Sequence, residues 1–319
     1  MTLSVASFVT LKDKNWFQTG GPARFFCEPT TEQEFQEALV FAQKNCVPIF
    51  VLGEGANILI SDDGFDGLVI RPKNVIITHE EHTNDTTSVR MTAGAGATIA
   101  QAINYSLNNN IIGLEEFSNI PGTIGGAVFI NLHYYSFFLS DFLESAQVIN
   151  KITGHVETVL PAWFNFGYDQ SRLMHGDYYL ISATFKLKKA SDLEVAFAQG
   201  RSVEITRHRM SRYPTTRTCG SFFRNFHPHE VTLTSEGKKV IWVAYYLDKI
   251  GVKGNLSVGD AFVSYQHANM LVNKGHATSQ DIVMLAKKMQ ERVFTEYSIV
   301  PQPECLLIGF KEYPLLTWN

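Results

Sequence analysis

Two glycine-rich stretches have the residue types to bind an anionic ligand. The first is GEGANIL, at residues 53–59, which directly follows the apolar run VPIFVL. The second is IPGTIGGA, at residues 120–127, in which a Pro-Gly pair favours a turn. Glycines let the backbone turn with positive φ, so that amide N–H groups converge on a phosphate. One loop alone is typical of a strand-ending turn, whereas two loops separated by one strand–helix unit favour a bound diphosphate.

The first loop does not match a Rossmann fingerprint. Asn57 leads into the apolar stretch at 58–60, and no GxGxxG followed by a helix is present. The residues expected to bind the ligand are Gly53, Glu54, Gly55, Ala56, Asn57 and Ile58 in the first loop, and Pro121, Gly122, Thr123, Gly125, Gly126 and Ala127 in the second.

Length and composition exclude several classes of protein. The 319 residues suffice for two or three packed units, and 45% apolar and 18% charged residues are ordinary for a soluble globular protein. The net charge of −4 provides no overall positive field for nucleic acid, so a nucleic-acid partner is not expected. A monomer is expected.

Nothing in the sequence indicates export or membrane insertion. The N-terminal stretch lacks the basic start and apolar run of a signal peptide, and no apolar run approaches the roughly 20 residues of a membrane helix. The four cysteines, Cys27, Cys46, Cys219 and Cys305, form no CxxC pair and no metal-like spacing. We therefore expect free thiols, a cytoplasmic location and no bound metal.

The elements that must position the loops follow from periodicity and caps. Residues 23–28 predict a strand, Thr31 with Glu34 predicts a capped helix, and residues 47–52 predict the strand that ends at the first loop. Strands are also expected at 68–71, 89–92 and 305–310, and Thr98 and Thr278 are expected to cap helices.

The remaining patterns predict one more strand and two more helices, so the expected fold class is α+β. Residues 181–187 alternate apolar and polar side chains, which predicts a strand with Ser182 and Thr184 on a solvent face. Residues 194–212 predict a basic helix that links to another domain, and residues 243–250 predict a short helix stopped by Gly251.

In order and spacing, the motifs resemble those of the UDP-N-acetylenolpyruvoylglucosamine reductase (MurB) family over nearly the whole chain. The motifs are TGGPA at 19–23, GEGANILI at 53–60, IPGTIGGA at 120–127, FGY at 166–168, CGSFFRN at 219–225, GVKG at 251–254, SYQHAN at 264–269 and PE at 303–304. The resemblance implies a two-part FAD-binding cradle of the vanillyl-alcohol-oxidase type, followed by a C-terminal α/β substrate-binding domain. It implies FAD-binding subdomains at 1–75 and 76–205 and a substrate domain at 206–319.

The resemblance also implies the chemistry. The family uses FAD, held here without a covalent bond, and NADPH as co-substrate to reduce the enolpyruvyl ether of UDP-N-acetylglucosamine to UDP-N-acetylmuramate, a peptidoglycan precursor. Ser221 matches the family's proton donor, and Glu304 matches its catalytic carboxylate. Without the resemblance, Ser221 would be interpreted as a turn residue. The alternative for Glu304 is a surface residue at a strand edge, and the Pro303-Glu304 pair argues against it.

One position departs from the family where charge matters most. An arginine follows the tyrosine of the Phe-Gly-Tyr motif in the family, and this chain has Asp169 there. A carboxylate would oppose the negative charge that builds on the substrate, and the loss of one such donor costs about 2.7–4 kcal/mol. Arg172 is the candidate replacement if the backbone turns. Because Asp169 is interpreted as a handicap to the site, Asp169→Arg is expected to raise turnover.

Further residues match the family's substrate contacts. Tyr168, Arg212, Arg224 and Asn225 are expected to bind the UDP-sugar, since a diphosphate needs fixed cationic donors. The family has Asn-Ala-Gly-Ala after the second loop, whereas this chain has Asn131-Leu132-His133-Tyr134. His133 is interpreted as a packed loop histidine, with a hydrogen bond to the flavin as the alternative. The short stretch between Arg172 and Tyr178 indicates the shorter family subtype.

Asp169 keeps two other functions open. One is a different flavin oxidoreductase on the same cradle, and the other is a weakened or degenerate FAD-binding homologue. The presence of Ser221, Arg224, Asn225 and Glu304 together argues against the degenerate homologue.

Overall fold

The computed structural model describes residues 3–82 and 85–317. The α-helices are α1 (Glu32–Lys44), α2 (Ile99–Asn108), α3 (Ile124–Phe129), α4 (Asp192–Arg212), α5 (Val243–Lys249) and α6 (Ser279–Tyr297). The strands are β1 (Ala6–Thr10), β2 (Pro22–Cys27), β3 (Ile49–Val51), β4 (Ile58–Ile60), β5 (Phe65–Ile70), β6 (Ile77–Glu81), β7 (Ser88–Gly94), β8 (Ile111–Ile112), β9 (His133–Tyr134), β10 (Phe137–Phe138), β11 (Leu143–Asn150), β12 (Val156–Val159), β13 (Tyr178–Lys189), β14 (Thr234–Ser235), β15 (Lys238–Lys239), β16 (Ser257–Val258), β17 (Ala261–Val263), β18 (Leu271–Asn273) and β19 (Leu306–Ile308).

The chain forms two compact units, and each takes several stretches of sequence. Unit 1 contains Met1–Ser7, Phe25–Glu54 and Gly67–Arg209, and unit 2 contains Phe8–Arg24, Gly55–Asp66 and Met210–Asn319. The predicted subdomain boundaries at 75 and 205 stay a prediction.

The main sheet of unit 1 is built around the long strand β13. Its strand order is β12-β11-β13-β7-β6, with β8 also pairing with β13. Buried side chains of this sheet pack on α2 and α3, with Phe117 and Phe185 fully buried among them. The sheet therefore supplies the base from which the second glycine loop and α3 extend.

The predicted solvent face of β13 is wrong for its first half. Ser182 is buried, and its hydroxyl donates to Gln147 Oε1 at 3.1 Å. Thr184 is half-buried and shares a hydrogen bond of 2.8 Å with Thr92 Oγ1 on β7. Because neighbouring strands satisfy these hydroxyls, polar residues occupy a covered face at little cost.

The helix caps predicted from sequence are present. Thr31 Oγ1 accepts the amide of Glu34, and Thr98 and Gln101 form a reciprocal capping box at the start of α2. The N-terminal part of the chain forms a sheet in the order β1-β2-β5-β3, in which β3 and β5 are parallel. The strand that delivers the first loop is β3, as expected.

Unit 2 combines a three-stranded sheet, β16-β17-β18, with helices α5 and α6. Thr278 caps α6 in a full capping box with Asp281, which confirms the predicted start of this helix. The strand β4 pairs in parallel with β19, so that Ile58 lies opposite Leu306. Phe222, Phe223 and Tyr246 are fully buried in the core of this unit.

Across the described part of the chain, no helix combines the length and the apolar character needed to span a membrane.

Candidate active site

The two glycine loops meet in unit 1. A Cβ atom on Gly53 would lie 2.6 Å from Thr123 Oγ1, so only glycine permits this approach. Thr123 also caps α3, since its hydroxyl accepts the amide of Gly126 at 3.2 Å. The bridge between Thr98 and Thr123 sets the start of α2 beside this loop. The two loops are therefore in contact, and their shared role in binding one ligand stays a prediction.

A cleft of about 180 Å³ lies along this contact. It is lined by Gly53, Glu54, Arg71, Pro72, Lys73, Val75, Gly96, Thr98, Gln101 and Thr123. Its two cations also have an acidic neighbour, because Arg71 and Lys73 lie 3.8 and 3.4 Å from Glu28 Oε1. The cleft combines main-chain amides, hydroxyls and two cations, which suits a phosphate-bearing ligand.

Glu54, which lines the cleft, also contacts Gly122 of the second loop. Glu54 Oε2 accepts the amide of Gly122 at 2.9 Å, which ties the two loops together. Gly122 has φ +134°, and a Cβ atom there would meet nothing within 4 Å. The backbone at Gly122 is thus open to a ligand, while its amide is already bound by a carboxylate.

The remaining residues of the first loop belong to unit 2. Gly55 has φ +66°, and its carbonyl accepts the amide of Trp16 at 3.0 Å. Ile58 begins β4 and is buried. Asn57 Oδ1 is buried with no hydrogen-bond partner among the described residues. A buried amide oxygen without a hydrogen-bond partner in this loop is consistent with a ligand that donates a hydrogen bond to it.

Two chain segments of unit 2 bring Ser221 and Glu304 into adjacent positions. The amide of Glu304 donates to Phe222 O at 2.9 Å, and the amide of Arg224 donates to Gln302 O at 2.9 Å. We call residues 219–224 and 302–305 the paired segments. Both Ser221 and Glu304 are half-buried. Gly220, which precedes Ser221, has φ +78° and open space where a Cβ atom would stand.

The side chain of Asn269 is hydrogen-bonded to one of the paired segments, and each of the two segments contains a buried cysteine. Asn269 Oδ1 accepts the amide of Phe223 at 3.0 Å, and its Nδ2 donates to Phe223 O at 2.7 Å. Cys219 and Cys305 are buried free thiols, and their Sγ atoms lie 3.9 Å from Gly220 O and from Leu306 O, respectively. Burial and the Cys219 thiol raise the pKa of Cys305 well above its usual value. Both thiols therefore belong to the packed interior.

Arg224 is fixed by an acidic partner that the sequence analysis did not identify. Its NH1 and NH2 donate to the two oxygens of Glu230 at 2.9 and 2.7 Å. The side chain of Arg224 and the amide of His227 lower the pKa of Glu230 to about 2. The bidentate geometry orients the guanidinium. Asn225 contributes to the same region, because its Oδ1 accepts the amide of Val243 at 3.2 Å.

Arg212 lies in a positively charged part of unit 2. Burial, together with Arg212 and Lys253, lowers the pKa of His267 to about 4, so this imidazole is neutral near neutral pH. His267 Nδ1 accepts the amide of Asn269 at 3.3 Å. Asp248 acts in the opposite direction on the same imidazole.

The tyrosine motif forms a tight turn in unit 1. Gly167 and Gln170 form an isolated bridge, with a hydrogen bond of 3.0 Å from Gly167 N to Gln170 O. We call residues 167–170 the Tyr168 turn. Asp169 has φ 52°, and its Oδ1 lies 3.3 Å from His133 Nδ1. The ring of His133 lies 4.5 Å from that of Tyr168.

Arg172 does not join Tyr168 and Asp169 in any contact that the described residues show. It starts a 3-10 helix at Arg172–His175, and its guanidinium lies 4.4 Å from the ring centre of Trp163 and 5.7 Å from that of Tyr178. The backbone does turn here, as the replacement hypothesis required. This cation–π placement nevertheless favours a packing role for Arg172.

Within residues 3–82 and 85–317, no group of three or more His, Cys, Asp or Glu side chains has the arrangement needed to hold a metal ion.

Comparison with known families first gives the class of protein. Residues 23–159 match the FAD binding domain family, and this stretch contains both glycine loops. The predicted FAD is therefore confirmed, and the cleft that both loops line fits its phosphates. The chain is an FAD-binding flavoprotein whose C-terminal part carries a second domain.

The match of the second domain identifies the family. Residues 212–308 match the UDP-N-acetylenolpyruvoylglucosamine reductase, C-terminal domain, which includes Ser221 and Glu304. The chain is 31% identical over 311 residues to the enzyme of that name from Latilactobacillus sakei, covering 97% of this chain and 95% of the relative. It is 33% identical over 295 residues to the one from Gloeobacter violaceus, covering 92% of each.

A solved structure of a family member supports the same assignment. The crystal structure of UDP-N-acetylenolpyruvylglucosamine reductase (MurB) from Thermus caldophilus superposes with a TM-score of 0.76 at 28% identity, covering 96% of this chain and all of that one. The chain belongs to the UDP-N-acetylenolpyruvoylglucosamine reductase family. The expected fold class is thereby confirmed.

Proposed function

We propose that this chain reduces UDP-N-acetylenolpyruvoylglucosamine to UDP-N-acetylmuramate with NADPH, as a step in peptidoglycan precursor synthesis. The observation that carries the proposal is the hydrogen bond from Glu304 N to Phe222 O, which pairs the segments that hold Ser221 and Glu304. The family match over nearly the whole chain supports the substrate and co-substrate. A different flavin oxidoreductase on the same cradle is not favoured, because the relatives named above share this one activity.

The reaction needs a proton donor and a way to stabilise negative charge. Bound FAD supplies the hydride chemistry between NADPH and the vinyl carbon of the substrate. Ser221 Oγ donates the proton to the carbon next to the substrate carboxylate. A serine hydroxyl is a weak acid, so Glu304, on the adjacent segment, holds or relays a proton for this step.

The nucleotide sugar is bound by cations and by the Tyr168 turn. Arg224 contacts the substrate in an orientation fixed by Glu230, and Asn225 lies next to it in the chain. Arg212 attracts the diphosphate together with Lys253, which shares its position near His267. Tyr168 is half exposed, at 48%, and offers its ring and hydroxyl to the substrate.

FAD is bound without a covalent link by the cleft between the glycine loops. Gly53 and Gly122 provide the close backbone approach, and Thr123 contributes a hydroxyl. The protein acts as a monomer in the cytoplasm, where free buried thiols persist. The boundary at 75 divides the FAD-binding part into two subdomains, and the boundary at 205 separates that part from the substrate domain.

The test is NADPH oxidation by purified protein that carries FAD. We expect oxidation that depends on UDP-N-acetylenolpyruvoylglucosamine and yields UDP-N-acetylmuramate in equal amount. Oxidation that ignores this substrate would point to the other flavin oxidoreductase. A protein that binds no FAD would contradict both.

A further inference from the structure

Two cations, Arg71 and Lys73, follow the end of strand β5 beside the first glycine loop. Strands β3 and β5 are parallel, and the amide of Leu52, which follows β3, donates to Ile70 O at 2.8 Å. Gly53 and Arg71 therefore both follow the carboxyl ends of paired parallel strands. Open α/β sheets bind their ligands at this edge.

The main chain holds both cations in the lining of the cleft. The amide of Arg71 donates to Cys27 O at 2.9 Å, and that of Lys73 donates to Pro29 O at 2.7 Å. Bonds at every second residue are typical of an extended segment, in which side chains two positions apart lie on the same face. Arg71 and Lys73 thus share one face, and both line the cleft.

A glycine of the loop between β7 and α2 holds this segment in place. A Cβ atom on Gly96 would lie 2.4 Å from Pro72 O, so only glycine permits the approach. The amide of Gly96 also donates to Asn74 O at 3.0 Å. The cations therefore lie on a segment that the main chain fixes from two sides.

The side chains of both cations keep hydrogen-bond donors available. Arg71 NH1 and Lys73 Nζ lie 3.8 and 3.4 Å from Glu28 Oε1, and in the part of the chain that the structure describes neither side chain makes a hydrogen bond. By contrast, Arg201 donates to both oxygens of Glu116 at 2.8 and 2.9 Å. Glu28 therefore balances charge but leaves the N–H groups of the cations available to an anion.

We propose that Arg71 and Lys73 donate hydrogen bonds to the diphosphate of FAD, and that Glu28 limits the affinity for FAD by competing for both cations. This inference rests on the part of the proposed function that places FAD in the cleft. The cleft of about 180 Å³ is smaller than the roughly 300–1,000 Å³ of pockets that enclose a whole drug-sized ligand, so it holds part of FAD. Cations, hydroxyls and glycine backbone suit the phosphates better than an apolar ring.

The two carboxylates near these cations act differently. Glu54 Oε2 accepts the amide of Gly122 at 2.9 Å, so this carboxylate joins the two loops. Glu28 contacts the cations through charge alone. A bound phosphate competes with Glu28 for the same two cations, and removal of the Glu28 charge strengthens the phosphate contact.

The first measurement is the release of FAD from the loaded protein, as free FAD after ultrafiltration at several dilutions. We expect Arg71→Gln to raise the Kd for FAD about tenfold, and Lys73→Gln about threefold because Lys73 is the more exposed cation. Glu28→Gln should lower this Kd about threefold. Lys44→Gln, on an exposed residue at the end of α1, is the matched control and should leave the Kd unchanged.

Added salt distinguishes a charge contact from a change of packing. The Kd of the wild-type protein for FAD should rise with salt, and the double variant Arg71→Gln with Lys73→Gln should lose most of this dependence, because salt screens exposed charges. NADPH also contains a diphosphate. In the FAD-saturated double variant we expect no change in the NADPH concentration that gives half the maximal rate of flavin reduction.

Two results would overturn the proposal. One is an unchanged Kd for FAD in both single variants, and the other is a higher NADPH requirement without weaker FAD binding, which would assign the cations to NADPH. Weaker FAD binding by Glu28→Gln would overturn the competing role of Glu28. Thermal unfolding reports whether each variant folds.

A further variant separates these results from a failure of the proposed function. Gly53→Leu places a bulky side chain at the contact with Thr123, where even a Cβ atom would lie 2.6 Å from Oγ1. Normal FAD binding by the folded Gly53→Leu protein would contradict the placement of FAD in the cleft. Weak binding by this variant with normal binding by the cation variants would contradict only the role of Arg71 and Lys73.

Discussion

The paired segments and the Tyr168 turn both carry residues of the proposed reaction, but different forces hold them. Main-chain hydrogen bonds and buried phenylalanines fix Ser221 and Glu304 in unit 2. Side-chain contacts between His133, Tyr168 and Asp169 organise the turn in unit 1. Main-chain pairing tolerates changes of side chain, whereas side-chain contacts depend on particular residues. The geometry of the first region therefore depends mainly on the backbone, and that of the second depends on the identity of particular side chains.

The largest effect is expected for the proton donor. Ser221→Ala removes the hydroxyl without touching the hydrogen bonds of Phe222, so we expect kcat to fall about 10²–10⁴-fold while FAD binding is kept. Steady-state NADPH oxidation and the flavin spectrum measure the two effects. Ser257→Ala, on an exposed position of β16, is the matched control and should leave kcat unchanged. A Ser221→Ala enzyme with normal kcat would remove Ser221 from the mechanism.

The main-chain support of the paired segments predicts a large cost for Asn269→Ala. This change leaves the buried N–H and C=O of Phe223 without partners, at a cost of about 2–4 kcal/mol in the free energy of unfolding. Urea denaturation measures it. Asn255→Ala, on an exposed residue of the same unit, should stay within about 0.5 kcal/mol. Equal effects of the two changes would mean that side-chain bonding to Phe223 does not hold the paired segments.

The Arg224–Glu230 pair predicts how stability depends on pH. The pKa of Glu230 is lowered in the folded protein, from 4.5 to about 2, so its contribution is complete above the unfolded value and is lost as pH falls from 4.5 towards 2. We expect Glu230→Gln to cost about 1–3 kcal/mol near neutral pH and progressively less in acid. Urea unfolding of both proteins across this range provides the measurement. A difference that grows as the pH falls would contradict the assignment.

The smallest effect concerns thiol reactivity. Cys46 is exposed, whereas burial raises the pKa of Cys27 to about 12 and that of Cys305 well above its usual value. A thiol-reactive dye near neutral pH should label Cys46 first, and Cys46→Ser should abolish the fast phase. Rapid labelling of Cys219 or Cys305 in folded protein would show that the paired segments open locally, and would weaken the contrast with the Tyr168 turn.

Local sequence signals predicted most elements of the fold. The caps at Thr31, Thr98 and Thr278 are present because capping depends on residues three positions apart. The covered hydroxyls of Ser182 and Thr184 escaped prediction because their partners lie on neighbouring strands. Alternation along one strand carries no information about what covers its second face.

The site was predictable where a motif carried it. Both glycine loops follow from spacing, and their mutual contact at Gly53 and Thr123 agrees with the interpretation as one site. Glu230 was missed, because it is defined by a contact with a motif residue rather than by a motif of its own. His133 was interpreted as a packed loop histidine, and its contact with Asp169 was not foreseen. The carboxylate at 169 was noticed as a departure, but its meaning depends on a histidine far away in the sequence.

The parallel pairing of β4 with β19 has a consequence for synthesis of the chain. β4 is translated long before its partner, Leu306–Ile308, which follows α6 in the chain. The apolar segment Ile58–Ile60 therefore lacks this strand partner until β19 has been translated, and contacts of such long sequence separation form slowly. A nascent chain that stalls after β18 would present this edge to other chains, which makes late arrest a route to aggregation.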